Sequence, residues 1–353
     1  MMDSDIRFSV VLPAYNEEKN LENAVESVLH QTYGNFELII VDNGSKDKTG
    51  KIAEHFKSLF SDIRLITNET NQGRAAARNE GLDAADGDYV IMLDPDDRFE
   101  SDLLERVRDA IIKEPADIVS YSYSEQFLSK RGMVLYTKTH RLPEIYDTDE
   151  ADFKNTVKTM LSCNAIGHVW NKAYKLSWLR EKEIRFQDVC QIDGMLFDLD
   201  TLSSQPTAVT LPDELYHCRN VRGDKRTGEY LPDYIDLHKK GIERLKNLLI
   251  ALGIYDDDTI KVLAHMYIRV LSSGTQREMS HGMSRNDAAL MLEKESHLLL
   301  FRELADKFVP ENRADRVLRS MIAEGNMRGA AARTQQLLRF GKVCPDMLLR
   351  FLR

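Results

Sequence analysis

Apolar positions alternate between two periods through the first hundred residues. "RFSVVLP" (7–13), "FELIIVD" (36–42), "IRLIT" (63–67) and "YVIMLD" (89–94) are short, β-branched-rich runs that read as buried strands. Between them the period changes to that of an amphipathic helix. Leu21, Ala24, Val25, Val28 and Leu29 form one apolar stripe, predicting a helix over 17–31. Ile52, Ala53, Phe56, Leu59 and Phe60 form a second stripe, and "RAAARNEGLDAA" (74–85) reads as a helix of small residues. Strand starts recur at roughly 27-residue intervals, the length of a βα unit in a parallel sheet with right-handed crossovers.

Beyond Asp117 the pattern loosens. "DIVSY" (117–121) predicts another strand, and "FLSKRGMVLY" (127–136) a hairpin turning at Lys130, Arg131 and Gly132. A helix over 150–163, a strand or loop entering a helix at "HVWNKAYKLSWLR" (168–180) and a strand at "ELYHCRN" (214–220) follow. After Gly228 the chain becomes helical, with helices expected near 234–253, 259–273, 286–308 and 313–323. The division expected is a nucleotide-binding α/β domain over 1–228 and a helical extension over 229–353.

Polar residues gather where the strands end. The first strand runs into "PAYNEE", the second into "DNGSKDKT" and the fourth into "DPDD", with Asp94, Asp96 and Asp97 in four positions. Carboxyl ends of parallel strands share one edge, where open α/β sheets bind ligands. Acidic turns are ordinary one at a time; Asp42, Asp94 and Asp96 converging on one edge point to a metal. An EF-hand is excluded, because its sixth position requires Gly and here is Phe99, after a strand. Pro95 biases Asp94 towards an extended backbone, so Asp94 and Asp96 project in a similar direction. All-oxygen ligation suits Mg²⁺ or Mn²⁺, which commonly also holds substrate phosphates.

Composition narrows the class. The 353 residues are 42% hydrophobic and 30% charged, and no run reaches a membrane-spanning length of about 18 apolar residues. A net charge of −9 argues against nucleic acid as a partner. The acidic start "MMDSDIRFSVVLP" lacks the basic flank of a signal peptide, and the four cysteines (Cys163, Cys190, Cys218, Cys344) form no C-x-x-C pair. Free thiols in the cytoplasm are the expectation. Nine basic residues stand against three acids from Arg313 to Arg353. That tail has two readings: peripheral contact with an anionic membrane surface at the inner face of the cell membrane, or packing on the protein or on a second subunit of a homodimer.

Four N-terminal segments, in order, resemble family 2 glycosyltransferases of GT-A fold: "SVVLPAYNEEKNL", "IIVDNGSKDKTG", "NQGRAAARNEGL" and "GDYVIMLDPDD". Two later segments are similar to that family's W-N-K-x-Y and Y-x-Y-R stretches, "HVWNKAYK" and "YHCRN". The chain departs from the pattern twice. Asn43 stands where Asp is more frequent, and Ile192 where Glu usually precedes the catalytic Asp.

The resemblance implies a mixed, mainly parallel Rossmann-like sheet flanked by helices. It also implies metal-dependent, inverting transfer from a nucleotide sugar, most often a UDP-sugar, to a glycan or lipid-linked glycan in surface polysaccharide synthesis. Under it, Pro13, Tyr15, Glu17 and Asp42 contact the nucleotide, Arg78 and Arg219 the diphosphate, and Asp94 the ribose or metal-bound water. Asp96 binds the metal, His217 is a further candidate ligand, and Asp193 is the general base, with Asp188 and Asp198 as alternatives. Trp170 and Asn171 are candidates for the acceptor side. Arg78 has a plainer reading as a helix arginine paired with Glu80 or Asp83, and Asp193 as a helix cap. Two rival functions remain open: a nucleotide-sugar binder without catalysis, suggested by Ile192, and a nucleotidyltransferase, which would carry a Gly-rich basic loop where "PAYNEEKN" is acidic.

Overall fold

The structure, a computed structural model, describes residues 5–129, 132–147, 150–189, 191–221, 231–310, 316, 319 and 324–343. It divides into two compact units, Met1–Asp224 and Lys225–Arg353.

In the first unit the βα series appears in chain order: β1 (Phe8–Ala14), α1 (Leu21–Leu29), β2 (Phe36–Asp42), α2 (Thr49–Leu59), β3 (Ile63–Thr67), α3 (Arg74–Ala84) and β4 (Tyr89–Met92). β5 (Arg98–Phe99), α4 (Leu103–Lys113), β6 (Ile118–Leu128), β7 (Val134–His140), β8 (Ile145–Tyr146) and α5 (Glu150–Ser162) follow. β9 (Lys172–Lys175), α6 (Leu176–Glu181), α7 (Asp193–Ser203) and β10 (Ala208–Val221) complete the unit. All strands join one sheet whose main path is β3-β2-β1-β4-β9-β6-β10-β5, with β7 on β6 and β8 on β10.

β3-β2-β1-β4 are parallel, as the spacing predicts. β9 then runs antiparallel between β4 and β6, and β5 antiparallel to β10. The parallel character is thus confined to the N-terminal half and to the β6–β10 pair. Helices cover both faces of β1, and this is why its pattern is continuous rather than alternating. Phe8, Val10 and Leu12 enter one core cluster and Val11 the other; in β4, Ile91 joins the first, Val90 and Met92 the second.

The small-residue composition of α3 has a steric cause. A Cβ on Gly81 would lie 2.2 Å from Val11 Cγ1, so the helix approaches β1 only through glycine. Residues 17–20 are not helical, as the sequence had suggested, but form a turn in which Asn20 and Leu21 N–H both donate to the Glu17 carbonyl; α1 starts at Leu21.

The second unit is helical among its described residues: α8 (Tyr234–Ala251), α9 (Asp257–Ser280), α10 (Arg285–Ser296), α11 (Leu299–Leu304) and α12 (Met327–Val343). Asp256 and Thr259 form a reciprocal capping box at the start of α9. The helix expected over 313–323 and the tail beyond 343 lie outside the described residues, as do Cys190 and Cys344; Cys163 and Cys218 are free thiols. Among the described residues no helix is long and apolar enough to cross a membrane.

Candidate functional site

The first two strand ends are sewn together by their turns. Asn16 N–H donates to Ser45 Oγ (3.0 Å), Lys46 N–H to Asn16 Oδ1 (2.8 Å) and Glu17 N–H to Thr49 Oγ1 (2.7 Å). Asp42 ends β2 buried, with Oδ1 accepting from Ser45 N–H; its Oδ2 lies 2.5 Å from where a Gly50 Cβ would sit. Gly50 in "DNGSKDKTG" therefore makes room for this carboxylate. Tyr15 is 42% exposed beside it, an aromatic face open to a ligand. Glu17 is buried and accepts from Asn20 Nδ2 through Oε2. Pro13 is an interior residue of β1, paired with Val41 in the register. Its missing N–H falls on the β4 side, beyond the last rung between Val11 and Met92.

Asn43 proves to be a clip. Its Nδ2 donates to Asn71 Oδ1 and the Gly73 carbonyl, both at 3.0 Å, and its Oδ1 accepts from Gln72 N–H and Asn68 Nδ2. A carboxylate has no proton to donate, so Asp could make only half of this set. The departure from the family pattern thereby fixes the loop leading into α3.

The acidic turn is anchored by β10. Tyr216 donates its hydroxyl to Asp97 Oδ2 (2.7 Å) and accepts from Asp94 N–H (3.2 Å), while Arg219 N–H donates to Asp97 Oδ1 (2.8 Å). Burial, with Asp96 and Asp94 alongside, raises the Asp97 carboxyl well above the ordinary range. Asp97 is the turn's internal support, while Asp94 and Asp96 are part-exposed. Arg78, buried at 2%, pairs with Asp94 Oδ1 at 2.8 Å through Nη2. Neither Glu80 nor Asp83 is the partner shown for it; Glu80 takes Asn68 and Asp83 pairs with Arg185.

The other Arg78 nitrogen reaches Asp193. Nη1 donates to Oδ2 at 2.8 Å, and Arg74 adds Nε to Oδ2 at 3.1 Å and Nη2 to Oδ1. Asp193 is the first residue of α7, one past the cap position, which Ile192 occupies. Burial alone would raise its carboxyl; the charges of Arg78 and Arg74 outweigh that and hold it below the ordinary range. Ile192 is buried core, so the support that Glu would give comes here from two arginines.

The W-N-K-x-Y stretch holds this arrangement from beneath. Lys172, fully buried, donates to the Ala165 and His168 carbonyls (2.6 and 2.7 Å) and to Asn171 Oδ1, and pairs with Asp198 at 3.1 Å. Asp198 in turn accepts from Gly167 N–H at 2.7 Å. Asp198 is thereby spent on structure, and Asn171 with it; Asp188 stays exposed.

Two expectations change. His217 has both ring nitrogens engaged, Nδ1 with Ser124 Oγ (2.8 Å) and Nε2 with Glu100 (2.7 Å), and is buried; it offers no lone pair to a metal. The Arg219 side chain lines an open cleft of about 460 Å³ with Asn23, His30, Arg98 and Glu100, while only its main chain grips the acidic turn. Trp170 is 8% exposed and sandwiched between Tyr216 and His168, which makes it core. The ring stacked on it is His168, which burial, with Lys172 beside it, holds neutral, lowering its pKa to about 4.

Arg74, Asp97 and Tyr216 were not singled out as contributors by the sequence. Arg74 precedes Arg78 by four residues on a helix of small side chains, a spacing that shares one face. That was the available signal.

With His217 spent, Asp94 and Asp96 remain as the candidates to hold a cation. Among the described residues no three His, Cys, Asp or Glu side chains form a ready-made cage. Two carboxylates fit Mg²⁺ or Mn²⁺, which keep waters and take the rest of their shell from substrate phosphates. Burial is the main reason the Asp97 carboxyl is raised, and the neighbouring charges of Asp96 and Asp94, which add to it, are the part a cation would relieve.

Residues 9–168 match the family described as Glycosyl transferase family 2. Glycosyltransferase GlyA of Streptococcus pneumoniae serotype 4 is 29% identical over 320 residues, covering 88% of this chain and 43% of that protein. The chain spans about half or less of the length of the curated relatives it matches. Among solved structures, S. aureus TarS 1–349 in complex with UDP superposes with a TM-score of 0.62 at 17% identity, over 94% of this chain and 90% of that one. The mannosyltransferase PcManGT from Pyrobaculum calidifontis, in complex with GDP-Man and Mn²⁺, gives 0.50 at 19% identity over 94% and 87%.

Proposed function

Residues 9–168 match glycosyl transferase family 2 and the fold is GT-A, and from this we propose that the chain moves a hexosyl or N-acetylhexosaminyl group, with inversion, from a UDP-sugar to a hydroxyl of a glycan or lipid-linked glycan. The observation that carries the reading is Arg78. One buried guanidinium bridges Asp94, which this reading puts on the donor side, to Asp193, which it takes as the base.

In this reading Tyr15 lies against the uracil and Asp42 accepts from its edge. Asp94 and Asp96 would hold Mn²⁺ or Mg²⁺, which when bound would supply positive charge to the diphosphate. Arg78 supplies further positive charge beside it. Asp193, ionised at neutral pH, takes the acceptor hydroxyl's proton while that oxygen bonds to the anomeric carbon. The carbon–oxygen bond to the diphosphate breaks on the opposite face, and its electron pair leaves with the nucleotide. His168, stacked on Trp170, would present a neutral imidazole on the acceptor side. A surface polysaccharide is the acceptor class this supports. The TarS complex with UDP and the PcManGT complex with GDP-Man and Mn²⁺ support the donor and metal assignments by likeness of fold.

The test is nucleotide release from a panel of UDP- and GDP-sugars with a glycan acceptor mixture, with Mn²⁺ or with EDTA. Metal-dependent turnover of a UDP-sugar to a product of inverted anomeric configuration, read by NMR, is expected. Equal turnover in EDTA, or a retained configuration, would refute the mechanism.

A further inference from the structure

Arg74 has no role in the reaction as described, yet it grips the proposed base more fully than any other side chain. Its Nε donates to Asp193 Oδ2 at 3.1 Å and its Nη2 to Oδ1, a side-on pair; Arg78 Nη1 adds a third bond, to Oδ2 at 2.8 Å. An ionised carboxylate has roughly four acceptor positions. An acceptor hydroxyl must occupy one of them to give up its proton, and Oδ1 is the oxygen that Arg74 alone of the two arginines holds.

The two arginines are held differently. Arg78 is 2% exposed, tied also to Asp94, and lies over the Phe186 ring at 5.2 Å. It cannot leave without opening the core. The Arg74 side chain is 49% exposed, at the first residue of α3, on the sheet edge where the strand ends carry Asp42 and Asp94. About half of its side chain is open to solvent, whereas that of Arg78 is enclosed. A nucleotide diphosphate carries more charge than one carboxylate and takes guanidinium in the same paired geometry.

We propose that Arg74 is a donor-gated positioning residue, which caps Asp193 in the ligand-free chain and is drawn onto the donor's diphosphate, baring Oδ1 to the acceptor hydroxyl once the donor is bound. The inference rests on the donor-and-base reading above and adds an order to it. Acceptor activation follows donor binding because the same guanidinium serves both. Linkage then makes the two partners rivals: whatever weakens the hold of Asp193 on Arg74 strengthens the hold of the diphosphate.

The experiment is titration calorimetry of UDP, with Mg²⁺ present, onto the wild-type chain, Arg74→Gln, Asp193→Asn and the double variant. Arg74→Gln is expected to weaken UDP binding by about tenfold, the loss of one charge-assisted pair. Asp193→Asn is expected to tighten it about three- to tenfold, by removing the rival partner. The double variant should bind UDP as Arg74→Gln alone does, because the gain runs through Arg74. Arg74→Lys, which keeps charge without the side-on geometry, should recover part of the affinity. An equal gain from Asp193→Asn with and without Arg74 would show only relief of repulsion and would overturn the gating; so would no gain. Failure of the wild type to bind either UDP or GDP would instead overturn the donor-site reading, and the inference with it.

Discussion

Replacing Lys172 by Met separates what holds the site from what performs its chemistry. Met keeps the length of the stem but removes the ammonium that pairs with Asp198 and donates to the Ala165 and His168 carbonyls and Asn171 Oδ1. Burial lowers the Lys172 ammonium and raises the Asp198 carboxyl, each opposed by the other's charge. Removing one member of such a pair costs about 3–5 kcal/mol, because the other stays buried without compensation. In a unit of this size that is a fall of roughly 6–20 °C in melting temperature. Both tryptophans, Trp170 and Trp178, lie in the first unit, so urea unfolding followed by tryptophan fluorescence reports on that unit. The cost has a pH sign. Without Lys172, Asp198 has a folded pKa further above its unfolded value, so the stability it retains is complete below the unfolded pKa and is lost as pH rises through the folded one. The deficit relative to wild type should therefore be larger at pH 8 than at pH 5. Adding Asp198→Asn removes the stranded charge yet leaves an acceptor for Gly167 N–H, and should recover roughly half of the loss. A single variant within about 1 kcal/mol of wild type, a pH-independent deficit, or a double variant no better than the single would refute the argument.

Three further outcomes follow from the geometry. Asn43→Asp forfeits the donations to Asn71 and the Gly73 carbonyl and sets a charge against them, so the unit should lose about 1–3 kcal/mol in the same urea assay; an unchanged midpoint would show that the clip is dispensable. Gly81→Ala should cost about 1–3 kcal/mol despite alanine's better helix propensity, since its Cβ meets Val11 at 2.2 Å, and Val11→Ala in the same chain should give part of that back. Because Arg78 and Arg74 hold the Asp193 carboxyl low against its burial in the ligand-free chain, kcat/KM should stay level as pH falls from 8 to about 5, and its acid limb should move to higher pH in Arg74→Gln, whereas the limb of kcat, read with donor bound and Arg74 withdrawn, should not; coincident kcat/KM limbs would sever Arg74 from the base.

The βα series was legible because each element carries its own period. Val10, Val11 and Leu12 are buried on alternate faces of a covered strand, and Gly81 marks the closest helix approach. That Asp42, Asp94 and Asp96 fall on one edge of the sheet was legible from one topological rule about strand ends. What could not be read was set by pairing across long separations. Arg74 meets Asp193 across 119 residues, and Tyr216 meets Asp97 across the same span. Nothing in the local sequence of either partner encodes the meeting. β9 offered a similar difficulty: four residues with the character of any short strand run antiparallel between β4 and β6 because a later crossover brings them there. His217 looked like a ligand only while Glu100 and Ser124 were distant in sequence. Ile192 left open what would support Asp193, and α3 supplies two arginines to that carboxylate.

The most direct trial of the account compares wild type with Asp193→Asn in one experiment that reads both donor binding and sugar transfer, using the UDP-sugar that the panel identifies. If Asp193 is the base, the Asn variant binds the donor at least as tightly as wild type while transfer falls by about 10²–10⁴-fold. Transfer within a few-fold of wild type, with donor binding intact, would contradict the account and move the base elsewhere.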